Sequence, residues 1–330
     1  MEAFRRIAVI GTGLIGGSIL RRAHDAGIDV IGCDPDPGTA EIASRLGLPF
    51  TADVGTAVIG RDLIVCAAPL DAIRGGFDAI AASMDDGGVV TDVGSTKTDV
   101  LAAASSLAGR FIGGHPMAGT ELSGLAAADP NLFTDAPWVL CPPSTILIEP
   151  LRSLVGFVTD VMRAKAIVID AERHDETVAL SSHIPHVLAG ALAGAAAASP
   201  MAPTVTALAA GSFRDGTRVA GTNPDRTVDM LLHNRQAVLD QWGGVAGFMD
   251  EVLEAVRDNE HETLIDLFTG AATLRNAVVA RAMTTRTRTF ASGDGAAELA
   301  YLRELGAVGG YVTGCVPSGL ATTYTAETPA

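Results

Sequence analysis

The sequence predicts an α/β chain in which a doubly wound, mostly parallel sheet is followed by an all-helical domain. Three observations predict it. Short apolar runs alternate with helical stretches from Arg6 to Ile169, the rhythm of repeated strand–helix units. The first run leads into Gly11-Thr12-Gly13-Leu14-Ile15-Gly16, a glycine-rich turn that opens a helix. Beyond Asp170 strand-like runs become rare and alanine-rich periodic segments take over.

The elements follow in order. Arg6–Ile10 reads as a short buried strand, and the helical run after Gly16 extends to Gly27. A second strand, Asp29–Cys33, ends at Asp34. Further strands are expected at Leu63–Ala67, Val89–Asp92, Phe111–Ile112, Trp138–Cys141 and Ala166–Ile169, several closed by Pro or Gly. Helices are expected over His174–Ala198, Pro203–Ala209, Pro224–Trp242, Val245–Asn259 and Glu262–Met283, with Ser199-Pro200 and Pro224 as boundaries. After Thr284 come Thr, Arg, Ser and Gly, a short helix over Ala296–Leu305, and a weakly patterned tail. The expected division is a nucleotide-binding domain over 1–170, an all-helical domain over 171–283, and a C-terminal extension over 284–330 without an assigned role.

Bulk composition narrows the function. A chain of 330 residues, 48% of them hydrophobic, suits two domains with a sizeable core. The formal charge of −15 argues against nucleic acid or an anionic membrane surface as partner. It leaves room for a small anionic substrate, which needs only one or two local cations. Cys33, Cys66, Cys141 and Cys315 lie far apart with no CxxC pair, so reduced thiols are expected, with neither zinc nor disulfides. The start of the chain lacks the layout of a signal peptide, and the apolar stretch Val187–Ala198 reads as too short to span a bilayer. A soluble, cytoplasmic protein is expected.

The glycine turn carries the first chemistry. Gly11 permits the tight turn, Gly13 the approach of a pyrophosphate, and Gly16 the contact of helix with strand. The helix N-terminus adds N–H groups and a partial positive charge. Asp34 follows at a strand end, where a carboxylate binds ribose hydroxyls. It repels a 2′-phosphate, and Pro35-Asp36-Pro37 offers no arginine, so NAD is favoured over NADP. The domain is therefore expected to be Rossmann-type. The residues expected to bind cofactor are Gly11, Gly13, Leu14, Ile15, Gly16, Asp34, Pro69 and Ser95.

Four other segments stand out. Asp92-Val93-Gly94-Ser95-Thr96-Lys97 leaves a strand at the carboxyl edge of the sheet, where Ser95 can reach a reacting centre; Ser95 or Thr96 could equally cap a helix. Gly113-Gly114-His115-Pro116-Met117-Ala118-Gly119-Thr120-Glu121 reads as a glycine-rich loop whose neighbours are too small to bury His115, a candidate acid–base group. In Ser181-Ser182-His183-Ile184-Pro185-His186 two histidines share a helix face, without a third ligand for a metal. Gly211-Ser212-Phe213-Arg214-Asp215-Gly216-Thr217-Arg218 concentrates charge in a loop of small residues. An arginine there can hold a carboxylate in a two-pronged hydrogen bond, and a solvated ion pair with Asp215 is the alternative.

Together the GxGxxG turn, DVGSTK, GGHPMAGTELSG, SSHIPHVLA and GSFRDGTRVAGTNP, in that order, resemble the prephenate dehydrogenase family, which includes arogenate dehydrogenases. The resemblance implies an NAD-dependent oxidative decarboxylation of prephenate to 4-hydroxyphenylpyruvate on the way to L-tyrosine, with arogenate as the alternative substrate. It implies that His115 accepts the hydrogen bond of the ring hydroxyl as a neutral imidazole, available because histidine's unperturbed pKa is about 6.5. Ser95 would bond near the same hydroxyl and the nicotinamide. Arg218 would bind a substrate carboxylate, with Asp215 orienting its loop, His186 lining the pocket, Thr120 and Glu121 at its rim, and Gly211 offering an N–H. A homodimer through the helical domain is also implied.

One departure falls where members often carry a tryptophan: Asn223-Pro224-Asp225-Arg226-Thr227 has Thr227 instead, which bears on pocket shape. No fused chorismate mutase is expected before Ile7, and the stretch after Thr284 reads as too short and too poor in strands for a regulatory domain of the ACT type. Two other readings compete. A β-hydroxyacid dehydrogenase relies on a lysine in the helical domain, whereas the two lysines here are Lys97 and Lys165. A non-catalytic dinucleotide-binding sensor would have no use for His115, Ser95 and Arg218 together.

Overall fold

The computed structural model describes residues 4–107, 109–120 and 122–330. Its first half alternates strand and helix: β1 (Arg6–Ile10), α1 (Leu14–Asp25), β2 (Asp29–Cys33), α2 (Pro37–Arg45), β3 (Phe50–Thr51), α3 (Val54–Val58), β4 (Leu63–Cys66), α4 (Leu70–Ser83), β5 (Val89–Asp92), α5 (Thr98–Ala103) and β6 (Phe111–Pro116). These six strands are parallel, in the order β3-β2-β1-β4-β5-β6, the doubly wound arrangement of a dinucleotide-binding fold. Alternate side chains of each strand feed opposite faces. Ile7, Val9, Leu63 and Val65 pack with α1 on one side, whereas Ala8, Ile64 and Cys66 pack with Ile73, Phe77 and Ile80 of α4 on the other.

The sheet continues through β7 (Pro137–Cys141), α6 (Ile148–Gly156) and β8 (Lys165–Val168). Strand β7 runs antiparallel to β6 and parallel to β8. The helical part comprises α7 (Ala171–Val178), α8 (Ile184–Ala198), α9 (Ala202–Leu208), α10 (Gly211–Thr217), α11 (Pro224–His233), α12 (Arg235–Arg257) and α13 (His261–Val279). The break expected at Gly243-Gly244 does not occur, since α12 runs through both glycines, and the chain turns at Asn234 instead. The last expected helix stops at Val279, and Met283 begins a strand.

A turn of π-helix, Ala179–His183, joins α7 to α8 in one helix over Ala171–Ala198, 28 residues long, with an 18-residue window of mean hydropathy 1.3. The stretch judged too short for a bilayer is thus the end of a helix that is long enough by length and composition. It carries Glu172, Arg173, His174, Asp175 and Glu176 in its first turns.

The C-terminal extension overturns the expectation of a strand-poor tail. It forms β9 (Met283–Ala291), α14 (Gly295–Ala307), β10 (Tyr311–Ser318) and β11 (Ala321–Pro329). Strand β10 pairs antiparallel with β8, β11 with β10 and β9 with β11, giving a sheet of eleven strands. The strand signal there is β-branched threonine without apolar alternation. Residues Thr284–Thr289 are exposed, and in β11 only alternate residues, Thr322, Tyr324 and Ala326, are buried. By its contacts the chain falls into two compact units, one running to His174 and resuming at Met283–Ala330, the other Asp175–Ala282.

Candidate active site

The glycine turn between β1 and α1 shows three separate reasons for three glycines. Gly11 has φ +87° and a Cβ there would lie 2.6 Å from the Ala68 nitrogen. A Cβ on Gly16 would lie 1.9 Å from the Gly11 carbonyl oxygen, so helix and turn touch there. Gly13 faces open space, with nothing within 4 Å of a Cβ. A cavity of about 470 Å³ opens beside it, lined by Gly11, Gly13, Asp34, Pro35 and Pro69 among others. It sits between β1 and β4, where the strand order reverses and ligands bind in such sheets. The open face at Gly13, the free N-terminus of α1 and the Asp34 carboxylate suit a dinucleotide. Asp34 Oδ2 accepts the Thr12 N–H at 2.9 Å and Oδ1 the Asp36 N–H at 3.1 Å, which fixes the carboxylate at the rim. Leu14, Ile15 and Gly16 stand in the first turn of α1, outside the cavity lining. Cys33 and Cys66 line the cavity too. Burial pushes the Cys33 thiol up to about 11, helped by the Asp34 and Asp53 charges, and pushes the Cys66 thiol higher.

At the ends of β5 and β6 a buried ion pair organises the next group. Lys97 and Asp92 are both fully buried and paired. Lys97 Nζ also donates to the Gly114 carbonyl at 2.7 Å, while Asp92 accepts the N–H of Gly114 at 3.0 Å and of Gly94 at 2.8 Å. The loop holding Ser95 is therefore tied to the strand holding His115. Neither Ser95 nor Thr96 caps a helix; α5 begins at Thr98 with Lys97 at the cap position. Ser95 is half-buried.

His115 does not lie in a loop. Strand β6 extends through Pro116, and His115 pairs with Val139 of β7. The glycines before it serve close packing: a Cβ on Gly114 would lie 2.4 Å from the Asp92 carbonyl oxygen, and one on Gly113 3.0 Å from Lys97 Cδ. His115 is half-buried, and its Nδ1 lies 2.8 Å from Nε2 of His174. Asp92 and Lys97 bound the segment that the sequence picks out for Ser95, but no role is expected of either, and His174 is not expected at the site. His174 carries no motif, because its relation to His115 is made only by the fold. Thr120 is exposed and its hydroxyl accepts the Leu122 N–H at 3.2 Å; Glu121 lies outside the described residues.

The remaining expected residues belong to the helical unit. His183 is buried, its Nδ1 3.1 Å from the Asn234 amide nitrogen. His186 is half-buried on α8, its Nδ1 2.9 Å from the Ser182 carbonyl. Gly211 and Asp215 lie in α10, so the segment read as a loop is helical; Arg218 begins the 3₁₀ turn that follows. Arg218, Asp215 and Gly211 are exposed. Thr227 and Arg226 are in the first turns of α11, capped by Asn223. Among the described residues no three His, Cys, Asp or Glu side chains form a metal-binding group.

A prephenate dehydrogenase of Lactococcus lactis subsp. cremoris is 32% identical over 284 residues, 83% of this chain and 77% of that protein. The chain belongs to the prephenate dehydrogenase family. Residues 17–161 match that family's nucleotide-binding domain and residues 170–270 its dimerization domain. The solved structure of a Synechocystis arogenate dehydrogenase superposes with TM-score 0.75 at 29% identity, over 83% of this chain and 99% of that one. The prephenate dehydrogenase of A. aeolicus, solved with hydroxyphenyl propionate and NAD+, gives TM-score 0.76 at 26% identity, over 84% of this chain and 99% of that one. Both solved family members are thus matched almost end to end while part of this chain is left over, and the family domains end before the strands of the C-terminal extension.

Proposed function

We propose that the protein catalyses the NAD-dependent oxidative decarboxylation of prephenate to 4-hydroxyphenylpyruvate, a step towards L-tyrosine. The observation that carries this reading is His115, held at the end of β6 by the backbone ladder and against His174, with the Asp92–Lys97 pair tying it to the Ser95 loop beside the dinucleotide cleft. Family membership supplies the substrate class.

In this reading the ring hydroxyl of prephenate donates to His115, which takes its proton as the carbonyl character develops and returns it to the same oxygen as the ring becomes a phenol. Ser95 holds that hydroxyl in line. Arg218 clamps a carboxylate of the substrate through two parallel N–H contacts, with Asp215 orienting its turn and Gly211 offering an N–H. His186, Thr120 and Glu121 are assigned to the rest of the substrate on the family resemblance alone. Bound NAD supplies the hydride acceptor, and loss of CO₂ makes the ring aromatic. Gly11, Gly13 and the first turn of α1 with Leu14 and Ile15 would seat the pyrophosphate, Gly16 would keep that helix against the turn, Asp34 would hold the ribose hydroxyls, and Pro69 would flank the cleft. A homodimer through the helical unit and a cytoplasmic location belong to the same proposal.

The test is a paired assay of the purified protein with prephenate or arogenate, each with NAD or NADP, following reduced cofactor and product. The expected result is 4-hydroxyphenylpyruvate from prephenate, faster with NAD. Faster turnover of arogenate to tyrosine would replace the substrate, and no turnover of either would overturn the reading.

A further inference from the structure

The C-terminal extension lies outside both family domains, yet it touches the support of the catalytic histidine. Helix α14 rests on β8 so closely that a Cβ on Gly306 would lie 2.2 Å from the Val168 carbonyl oxygen. Its first turn is fixed by the buried Glu298, which takes Nε of Arg152 at 2.8 Å on one oxygen and pairs with a terminal nitrogen of Arg152 on the other. Its end reaches two segments that flank His115. Arg303 donates through Nη2 to the Pro142 carbonyl at 2.9 Å, just past β7, the strand paired with His115. Arg303 Nε also lies 3.1 Å from Asp170 Oδ1, an ion-pair contact whose N–H is not aligned for a hydrogen bond. Asp170 is the residue whose carbonyl accepts the backbone N–H of His174 at 2.9 Å. Arg173, next to His174, returns a contact by donating to the Ala307 carbonyl at 3.1 Å, in the last turn of α14.

We propose that α14 is a buttress of the active site and that Arg303 is a positioning residue which sets the contact between His174 and His115. Arg303 bridges the end of β7 and the residue that precedes α7, so it fixes the strand beside one imidazole and the helix bearing the other. The sheet alone does not do this, because β8 and α7 are joined only through Ile169 and Asp170. An imidazole that must accept a proton in a set direction loses rate when its partner drifts by a fraction of an ångström. The inference rests on His115 as the proton acceptor of the proposed reaction.

The experiment compares full-length Arg303→Ala and Arg303→Lys, each alone and in a His174→Gln background. Arg303→Ala is expected to lower kcat about tenfold while KM for NAD and for prephenate stay within about twofold. Arg303→Lys, which keeps a cation for Asp170, is expected to recover most of that loss. In the His174→Gln background Arg303→Ala is expected to cause no further fall, because both changes remove one effect. Losses that multiply in the double variant, or a folded Arg303→Ala protein with unchanged kcat, overturn the proposal. So does a lowered thermal midpoint with kinetics intact. Should Arg303→Ala not fold, Arg173→Ala, which cuts the exposed reciprocal contact, carries the same expectations. A wild type without turnover overturns the assigned reaction and this inference with it, whereas an active wild type with indifferent Arg303 and Arg173 variants overturns this inference alone.

Discussion

In the proposed reaction His115 concentrates the chemistry in one side chain, and backbone sets the strand that carries it. The glycines before it bring β6 against Asp92 and Lys97, and β7 fixes its register. His115→Asn keeps a similar shape and removes the base, so turnover is expected to fall by roughly 10²–10⁴. Cofactor affinity, read by fluorescence titration, is expected to hold; an unchanged rate would remove His115 from the reaction. Arg218→Ala is expected to act on substrate binding instead, weakening it by about 2–5 kcal/mol if the carboxylate contact is desolvated. An unaltered apparent affinity for prephenate would free Arg218 from that role. The cleft thiols give a different readout. Cys33 titrates near 11, pushed up mainly by burial, so at neutral pH it is a buried neutral thiol. Native protein is expected to resist thiol reagents that label it readily once unfolded, and fast labelling of the native state would contradict this burial.

Elements differ in how plainly they announce themselves. The parallel strands are apolar runs flanked by Gly, Pro or Asp, and β1, β2, β4, β5, β7 and β8 fall within a residue or so of their expected places. The glycine turn was legible because Gly11 and Gly16 answer steric demands of the fold and Gly13 leaves the face of the cleft open. What was not legible shares one physical cause: pairing that no local pattern encodes. Strands β9 and β11 are threonine-rich and half or wholly exposed, so they lack apolar alternation. Strand β6 runs on through two glycines because of what packs across the sheet. His174 sits next to His115 only after β8 and α7 are in place. Helix α14 is held by Arg152, Glu298 and Tyr324, whose hydroxyl donates to Glu298 at 2.5 Å. Arg152→Met would strand a buried carboxylate and is expected to cost about 3–5 kcal/mol in denaturant unfolding. Replacing both partners by apolar residues is expected to cost much less, and equal costs would refute the pair's role. Burial, then the Cys315 and Glu298 charges beside it, raise the Tyr324 phenol well above its ordinary 10.0. The folded state thus favours its protonated form, giving stability that is complete below pH 10 and declines as pH rises past it. Tyr324→Phe is expected to lose that alkaline decline, which a thermal-midpoint series against pH measures.

At the scale of the molecule, the helical unit leaves unusual amounts of apolar surface open. Leu239, Leu253, Val256, Ile265, Phe268, Leu274, Val278 and Val279 of α12 and α13 are all more than 40% exposed. Such faces are costly in water, and a second copy laid against them would cover them; the match to a dimerization domain supports that occupant. Sedimentation is expected to give a dimer that resists dilution to micromolar concentration, and a stable monomer there would contradict it.

The placing of the last strands carries a consequence for how the protein is made. Ala166 of β8 and Val312 of β10 are neighbours across the sheet but far apart in the chain, with the whole helical unit between them. At ribosomal rates of about 5–20 residues per second, the open side of β8 waits roughly 7–30 s for the strand that closes it. During that interval the nascent chain bears a naked sheet edge, a template for wrong pairing. Growth temperature and chaperone supply should therefore govern the yield of soluble protein more than the stability of the finished fold does.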